Sequence, residues 1–339
     1  MKYLIIFGGL FSLGDYASKV TAKHPNMQYL SALEKLFVIV RGMSGGYHEP
    51  PAPVSFNADS AYAFVQRQCQ FGPRVPGTDA HRRCGDYLVS TLKSYGTTVI
   101  EQTGKVTTFD GENLPLRNII AQINVDAETR ILLLAHWDCR PWADKDPDPA
   151  KRRTPVMGAN DAASGVAVLL EMARAMQDKL PNIGVDIMLV DVEDWGDDEG
   201  GNDDSWALGT QYWARNMHQQ GYHPMYGILL DMVGAADASF LQEYYSMQYA
   251  PAVVREVWRI AAALGHSNRF ISKPGGGIND DHLPVNRAGV PCIDIIDMRM
   301  DSQYGFFAGW HTTDDVMRHI SPATLGAVGE TLLTLIYSY

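Results

Sequence analysis

Short apolar runs alternate with longer amphipathic stretches through most of the chain. Continuous runs rich in Ile, Leu and Val are typical of strands covered on both faces, and they predict buried strands at 118–123, 131–135, 185–192, 227–230 and 290–296. Helical periodicity and polar caps predict helices at 57–70, 78–94, 163–178, 205–218, 251–264 and 321–337. This alternation predicts an α/β fold, a single domain with a central, mostly parallel mixed β-sheet flanked by helices.

The first 55 residues differ from this pattern and predict a targeting segment followed by a linker. One lysine and a short apolar run over residues 1–13 resemble a signal peptide, and the run is shorter than the ~20 residues of a membrane span. A second apolar run at 36–40, within a helix-like stretch at 31–42, is the alternative targeting region. Residues 43–55 are rich in Gly and Pro. We expect export to the periplasm or cell envelope, and a globular domain at 56–339.

Charge and cysteine usage exclude two classes of function. The chain has 39 acidic and 28 basic residues, a net charge of −11, whereas a nucleic-acid-binding protein needs a basic face. The four cysteines show no C-x-x-C spacing, which argues against a cysteine-ligated zinc. Cys69 and Cys84 could form a disulfide, or they could be buried free thiols.

Polar groups follow three of the predicted strands where each strand ends: His136 and Asp138, Glu193 and Asp194, and Asp231. Ligand sites in open α/β sheets lie at the carboxyl ends of the strands, so we expect these side chains to meet. Asp161 begins a predicted helix and could simply cap it. Its companions at the strand ends favour a place in the same site.

Six motifs stand in a characteristic order: Ala135-His-Trp-Asp138, Gly158-Ala-Asn-Asp161, Asp191-Val-Glu-Asp194, Leu229-Leu-Asp231-Met-Val-Gly234, Asn279-Asp-Asp-His-Leu-Pro284 and Trp310-His-Thr312. Together they resemble the zinc-dependent family that contains M28-type aminopeptidases and animal-type glutaminyl cyclases. The resemblance covers about residues 56–339. Each motif is weak alone, but their common order is specific.

The resemblance implies one catalytic zinc per chain, held by Asp161, Asp194 and His311. Three protein ligands leave the fourth tetrahedral position open, as catalytic zinc requires. Glu193 would then be the general base. Animal cyclases usually have Glu where this chain has Asp194. Since aspartate is shorter by one bond of about 1.5 Å, the backbone must approach the metal more closely.

Two activities within this family compete. The segment Asp280-Asp281-His282-Leu-Pro284 and the tryptophan directly before His311 resemble the cyclases, which convert the N-terminal glutamine of peptides and proteins to pyroglutamate and release ammonia. The alternative is a two-zinc aminopeptidase, in which His136 and Asp231 would bind the second metal. An inactive relative retained as a binding module would have lost metal ligands, and all of them are present here.

For a cyclase, the resemblance implies that Asp231 and Asp280 hold the leaving nitrogen and that Trp310 walls the glutamine pocket. Supporting roles around these groups are expected for His136, Asp138, Asp281 and His282. The partners expected are peptide substrates bound by a monomer, with no nucleic acid and no stable membrane span.

Two loops complete the expectations. Residues 140–155, basic and proline-rich, predict an exposed loop. The acidic stretch at 194–204 predicts a solvated loop near the mouth of the active site, flanked by Trp195 and Trp206.

Overall fold

The computed structural model describes residues 3–6, 9–12 and 52–339, within two units that comprise residues 1–47 and 48–339. In the first unit, β1 (Tyr3–Ile6) pairs antiparallel with β2 (Gly9–Ser12). The helix predicted at 31–42 and most of the predicted linker lie outside the described residues. Export and the domain boundary at residue 56 therefore stay predictions. Within the described part of the chain, no helix is both long and apolar enough to cross a membrane.

The second unit is built on a six-stranded sheet whose order is β10-β7-β5-β6-β4-β3. Its strands are β3 (Thr98–Thr107), β4 (Asn113–Ile123), β5 (Arg130–His136), β6 (Gly184–Val190), β7 (Gly227–Asp231) and β10 (Cys292–Ile296). The four strands from β10 to β6 are parallel, and β4 and β3 continue the sheet antiparallel. A separate pair joins β8 (Phe240–Gln242) and β9 (Phe270–Pro274). The predicted mixed, mostly parallel sheet is confirmed.

Eight helices are described in this unit: α1 (Ala58–Cys69), α2 (Asp79–Ser94), α3 (Ala163–Met176), α4 (Leu208–Arg215), α5 (Tyr244–Tyr249), α6 (Pro251–Ala263), α7 (His282–Arg287) and α8 (Pro322–Tyr337). The predicted caps are present, since the side chains of Asn57 and Thr78 accept the N–H groups of Ser60 and His81. Each cap satisfies a donor that the first helical turn leaves unpaired, so these helices begin where the sequence predicted.

Both faces of the sheet are buried, as a parallel sheet requires. Successive residues of a strand point to opposite faces. On β5, Leu133 and Ala135 join one apolar cluster, whereas Leu132 and Leu134 join another. The first cluster includes residues of α1, α2, α3, α6 and α8. The continuous apolar run of this strand therefore reflects two cores, one on each side of the sheet.

Some of the fold was not predicted. The edge strand β3 carries exposed polar residues such as Glu101, so it lacks the continuous apolar run of the inner strands. The short helices α5 and α7 and the β8–β9 pair were also missed. All four cysteines are free thiols, and burial raises the pKa of the Cys84 thiol to about 12.

The prediction of an exposed loop at 140–155 is wrong for its first half. The Arg140 guanidinium is buried and donates to the carboxylates of Asp144 and Asp194. Asp146 is also buried and accepts both the N–H and the hydroxyl of Thr313. Ion pairs and hydrogen bonds hold these charged residues inside, and the exposed part begins at residue 147.

Helix α3 packs so closely on β7 that Gly165 has no room for a side chain. A Cβ atom there would lie 2.3 Å from the Leu230 carbonyl oxygen. We expect Gly165→Ala to lower the free energy of unfolding by about 1–3 kcal/mol, because the helix must move away from the strand. Urea unfolding followed by circular dichroism measures this loss. Gly276→Ala is the control, since its Cβ would meet only Met298 Cε at 3.6 Å. Equal stability of the two variants would contradict the prediction.

Candidate metal centre

The carboxyl ends of the central strands bring together every polar residue that the sequence placed there. His136 is the last residue of β5, Asp231 the last of β7, and Glu193 and Asp194 follow β6. Asp161 lies in the turn before α3, and His311 lies in the loop between β10 and α8. Two groups of three have ligand atoms within 4.8 Å of one another: His136, Asp161 and Asp231, and Asp161, Asp194 and His311.

Asp161 belongs to both groups and lies between the two imidazoles. Its Oδ1 is 2.8 Å from His136 Nε2, and its Oδ2 is 3.9 Å from His311 Nε2. The second group is completed by Asp194 Oδ1, 3.3 Å from the same His311 nitrogen. In the first group, Asp231 Oδ1 is 3.3 Å from His136 Nε2. A shared carboxylate between two imidazole–carboxylate pairs can serve one metal ion or bridge two.

Two buried carboxylates fix the backbone around these groups. Asp138 accepts the N–H groups of both Glu193 and Asp194 at 3.1 Å. Asp315 accepts the N–H groups of Asn160 and Asp161 at 2.8 and 3.0 Å. Each side chain thus sets the position of a ligand-bearing turn, as outer-shell groups do in metal sites.

Sequence reasoning missed Asp315 and Arg140, although both lie next to the motifs. Asp315 follows Trp310-His-Thr312 by three residues, and Arg140 follows Ala135-His-Trp-Asp138 by two. Arg140 Nη1 donates to Asp194 Oδ1 at 3.1 Å. A buried arginine is rarely found without a carboxylate partner, but sequence alone does not show which arginines are buried.

Burial perturbs the acidity of these groups strongly. Burial raises the pKa of Asp161 to about 7, helped by the charges of Asp194 and Asp231. Burial likewise raises the pKa of Asp194 to about 7, against the Arg140 charge. The pKa of Glu193 is raised well above its usual range by burial and by the Asp280 charge. So many carboxylates in one buried place need a cation to ionise together.

Several properties of this centre fit a metal ion. The Oδ2 atom of Asp194 is buried without a hydrogen-bond partner, although buried polar atoms are normally satisfied. Burial lowers the pKa of His311 well below its usual range, which keeps its imidazole neutral and able to coordinate. Carboxylate oxygens with imidazole nitrogens are donors that zinc accepts.

A cavity of about 280 Å³ opens onto these ligands. Glu193, Asp231 and Asp280 line it together with Asp161 and His311. Trp310 also lines it, and its indole stacks on the His311 ring at a centroid distance of 3.8 Å. Trp206 stacks on His311 too, at 6.0 Å. The predicted base, the two predicted leaving-group residues and the predicted aromatic wall therefore share one cavity with Asp161 and His311, two of the three predicted metal ligands.

Asp281 and His282 are fully buried behind this cavity, as part of the turn that carries Asp280. The Asp281 N–H donates to the Asp280 carboxylate at 2.5 Å, and His282 Nε2 lies 3.4 Å from Glu243 Oε2. Neither side chain lines the cavity.

The backbone at the centre takes an unusual conformation. Val192, Met232 and His311 have φ angles of 52°, 48° and 51°. Left-handed residues with a side chain cost about 1–3 kcal/mol each and are concentrated at functional sites. Val192 precedes Glu193 and Met232 follows Asp231, so the strain is located at the turns that aim these carboxylates.

Together the sheet and the site define an α/β protein that gathers buried carboxylates and imidazoles into a candidate metal centre. Residues 118–336 match the model of peptidase family M28, and the chain belongs to that family. This confirms the family that the six motifs predicted.

Similar proteins of known structure include glutaminyl cyclases and Zn-dependent exopeptidases. The chain is 50% identical to a glutaminyl cyclase from Porphyromonas gingivalis, with 84% of this chain and 100% of that one covered and a TM-score of 0.82. It is 49% identical to a Zn-dependent exopeptidase from Parabacteroides distasonis, with 85% and 100% covered and a TM-score of 0.83. Glutaminyl-peptide cyclotransferase from Drosophila melanogaster is 25% identical over 280 residues, 74% of this chain and 73% of that protein.

The contacts of Asp138 generate a prediction about metal affinity. Asp138→Asn replaces one of its two acceptor oxygens with a donor, so one of the N–H groups of Glu193 and Asp194 loses its partner. We expect zinc affinity to fall about 10–100-fold, as substitutions outside the ligand shell do. Competition with a colorimetric chelator measures the change. Asp86→Asn, which removes only exposed ion pairs, is the control. Unchanged affinity would show that Asp138 does not position the ligands.

Proposed function

We propose that this protein is a glutaminyl-peptide cyclotransferase, which cyclises the N-terminal glutamine of peptides and proteins to pyroglutamate and releases ammonia. The observation that carries the proposal is the 50% identity to the Porphyromonas gingivalis glutaminyl cyclase over that chain's full length. The six motifs and the shared cavity support it. The catalytic domain would span residues 56–339, and its partners are peptides with an N-terminal glutamine.

We assign one zinc ion per chain to Asp161, Asp194 and His311, whose ligand atoms converge. Bound there, zinc would act as a Lewis acid on the side-chain amide of the substrate. Asp194 supplies this ligand set in place of the longer glutamate of animal cyclases. The Asp138 carboxylate holds the Asp194 backbone, and Arg140 holds its side chain.

Glu193 is assigned as the general base and acid. It lines the cavity, is 8% exposed, and has a pKa raised by burial and by Asp280. A carboxyl group with a raised pKa can take a proton from the attacking α-amine and return it to the leaving nitrogen. Both reacting groups belong to one residue, so orientation inside the cavity supplies much of the rate.

The remaining cavity residues orient the glutamine. Asp231 and Asp280 are coupled by charge, since burial and Asp231 raise the pKa of Asp280 well above its usual range. A pair of this kind can hold one proton between its members and hydrogen-bond the leaving nitrogen. Trp310 packs beside His311 and forms the wall for the methylene groups of the side chain.

Replacement of Glu193 tests whether this residue is the general base or a metal ligand. We expect Glu193→Gln to reduce kcat about 10²–10⁴-fold, because an amide cannot carry the proton, while zinc stays bound. Measurement of the zinc content of the same variant, together with its kcat, shows whether activity is lost while zinc is retained. Glu199→Gln, on the exposed loop that follows, is the matched control and should keep its activity. Loss of zinc along with activity would instead make Glu193 a ligand.

A two-metal aminopeptidase is the second candidate, and one observation favours it. His136, Asp161 and Asp231 form a second group of convergent ligand atoms beside the first. In that enzyme His136 and Asp231 would coordinate a metal, whereas in the cyclase Asp231 would hold the leaving nitrogen and His136 would have a supporting role. The Zn-dependent exopeptidase from Parabacteroides distasonis is about as similar to this chain as the cyclase is.

Two short peptides distinguish the candidates. Purified protein is incubated with one peptide that begins with Gln and one that begins with Leu, and the products are identified by mass spectrometry. We expect the Gln peptide to lose ammonia and the Leu peptide to stay intact. Release of free leucine would support the aminopeptidase and overturn the cyclase assignment.

A further inference from the structure

The mouth of the cavity carries carboxylates that the proposed reaction does not use. Asp197, Asp198 and Asp203 line it. Lys145 pairs with Asp198, and the other ion pair of this loop in the described part of the chain joins Arg287 to Asp204, outside the cavity lining. Asp197 and Asp203 are therefore left without a cation at the mouth.

These carboxylates are held in place by the loop that bears them. The Asp197 carboxylate accepts the N–H of Gly200 at 2.8 Å, and its own N–H donates to Ser205 Oγ at 2.8 Å. Asn279, next to Asp280, donates to the Asp203 carbonyl at 2.8 Å. The acidic loop is thus tied to the segment that carries a cavity residue, which fixes its charges relative to the site.

The rest of the rim is aromatic and apolar. Phe306 and Ile278 line the cavity beside Trp310, and the Phe306 and Trp310 rings are 4.7 Å apart. Tyr245 lies against Gly277 of the rim, where an added Cβ would be 2.9 Å from its ring. It forms a T-shaped pair with the exposed Tyr244. Negative charge and aromatic faces thus occur around one opening.

The cavity itself is built for a ligand. Asp231 and Asp280, which are 8% and 4% exposed, both line it. Its volume of about 280 Å³ is near the lower limit of small-molecule sites, and its lining extends from Asp161 and His311 to Asp197 and Asp203. A peptide whose first residue lies against Asp161 and His311 therefore places its second residue beside Asp197 and Asp203.

We infer that this rim selects, among substrates of the proposed cyclisation, peptides with a basic residue directly after the N-terminal glutamine. An arginine or lysine side chain can place its charge beside Asp197 and Asp203 and its stem or guanidinium on the aromatic faces. A glutamate or aspartate in the same position is repelled. The field of the acidic loop also raises the local concentration of cationic peptides, which increases their rate of association.

Three peptide amides of one length test this inference, with Arg, Ala or Glu after the glutamine. We expect kcat/KM to fall in the order Arg, Ala, Glu, with most of the difference in KM. High salt should reduce the differences in kcat/KM among the three peptides, because exposed charges are screened. Asp203→Asn should reduce the Arg-to-Glu ratio about threefold to fivefold, which is the upper part of the range for an exposed ion pair.

Asp126→Asn is the matched control, with the same loss of charge in the turn after β4. That turn lies at the end of the sheet opposite the cavity, because Ile123 pairs with Val185 near the start of β6. Its peptide preference should equal that of the unaltered protein. Equal kcat/KM for the three peptides, or a preference that survives in Asp197→Asn/Asp203→Asn, would overturn the inference while the cyclase assignment stands. Absence of cyclisation with every peptide would overturn both.

Discussion

The confinement of many carboxylates to one buried edge of the sheet is the constraint on which this structure depends. Asp161, Glu193, Asp194, Asp231 and Asp280 are all less than 9% exposed, and most have raised pKa values. Burying an isolated carboxylate is costly, so a protein normally neutralises it, pairs it or gives it a metal ion. The zinc ion proposed for this site would offset part of the charge, and shared protons would offset the rest. The same set of buried carboxylates would then supply both the metal ligands and a proton carrier.

A second set of groups makes that arrangement rigid. Asp138 and Asp315 each accept two backbone N–H groups from turns that carry ligands. Left-handed residues at Val192, Met232 and His311 store strain where the chain presents Glu193, Asp231 and His311, and the packed sheet beneath supports it. Preorganisation of this kind is what electrostatic catalysis requires, because the charged groups need not move as the reaction proceeds.

The sequence predicted the inner strands, the main helices and the gathering of polar residues at strand ends. The strands were predictable because a continuous apolar run indicates a strand that is buried on both faces of the sheet. The gathering of polar residues was predictable because parallel strands end at the same side of the sheet. The edge strand β3 was not predicted, because a strand that is buried on only one face has a weak apolar pattern. The roles of Arg140 and Asp315 were not predicted, because they depend on contacts with residues distant in sequence. Arg140 contacts Asp194, and Asp315 contacts Asn160. Motif order, rather than any physical pattern, identified His311.

The number of zinc ions that the purified protein retains tests the central claim most directly. Plasma mass spectrometry on dialysed protein should give about one zinc per chain, and His311→Ala should retain almost none, because the remaining ligands of its group do not suffice. A firm value of about two would show that His136, Asp161 and Asp231 bind a metal of their own. Full retention of zinc by the variant would contradict the ligand set assigned here.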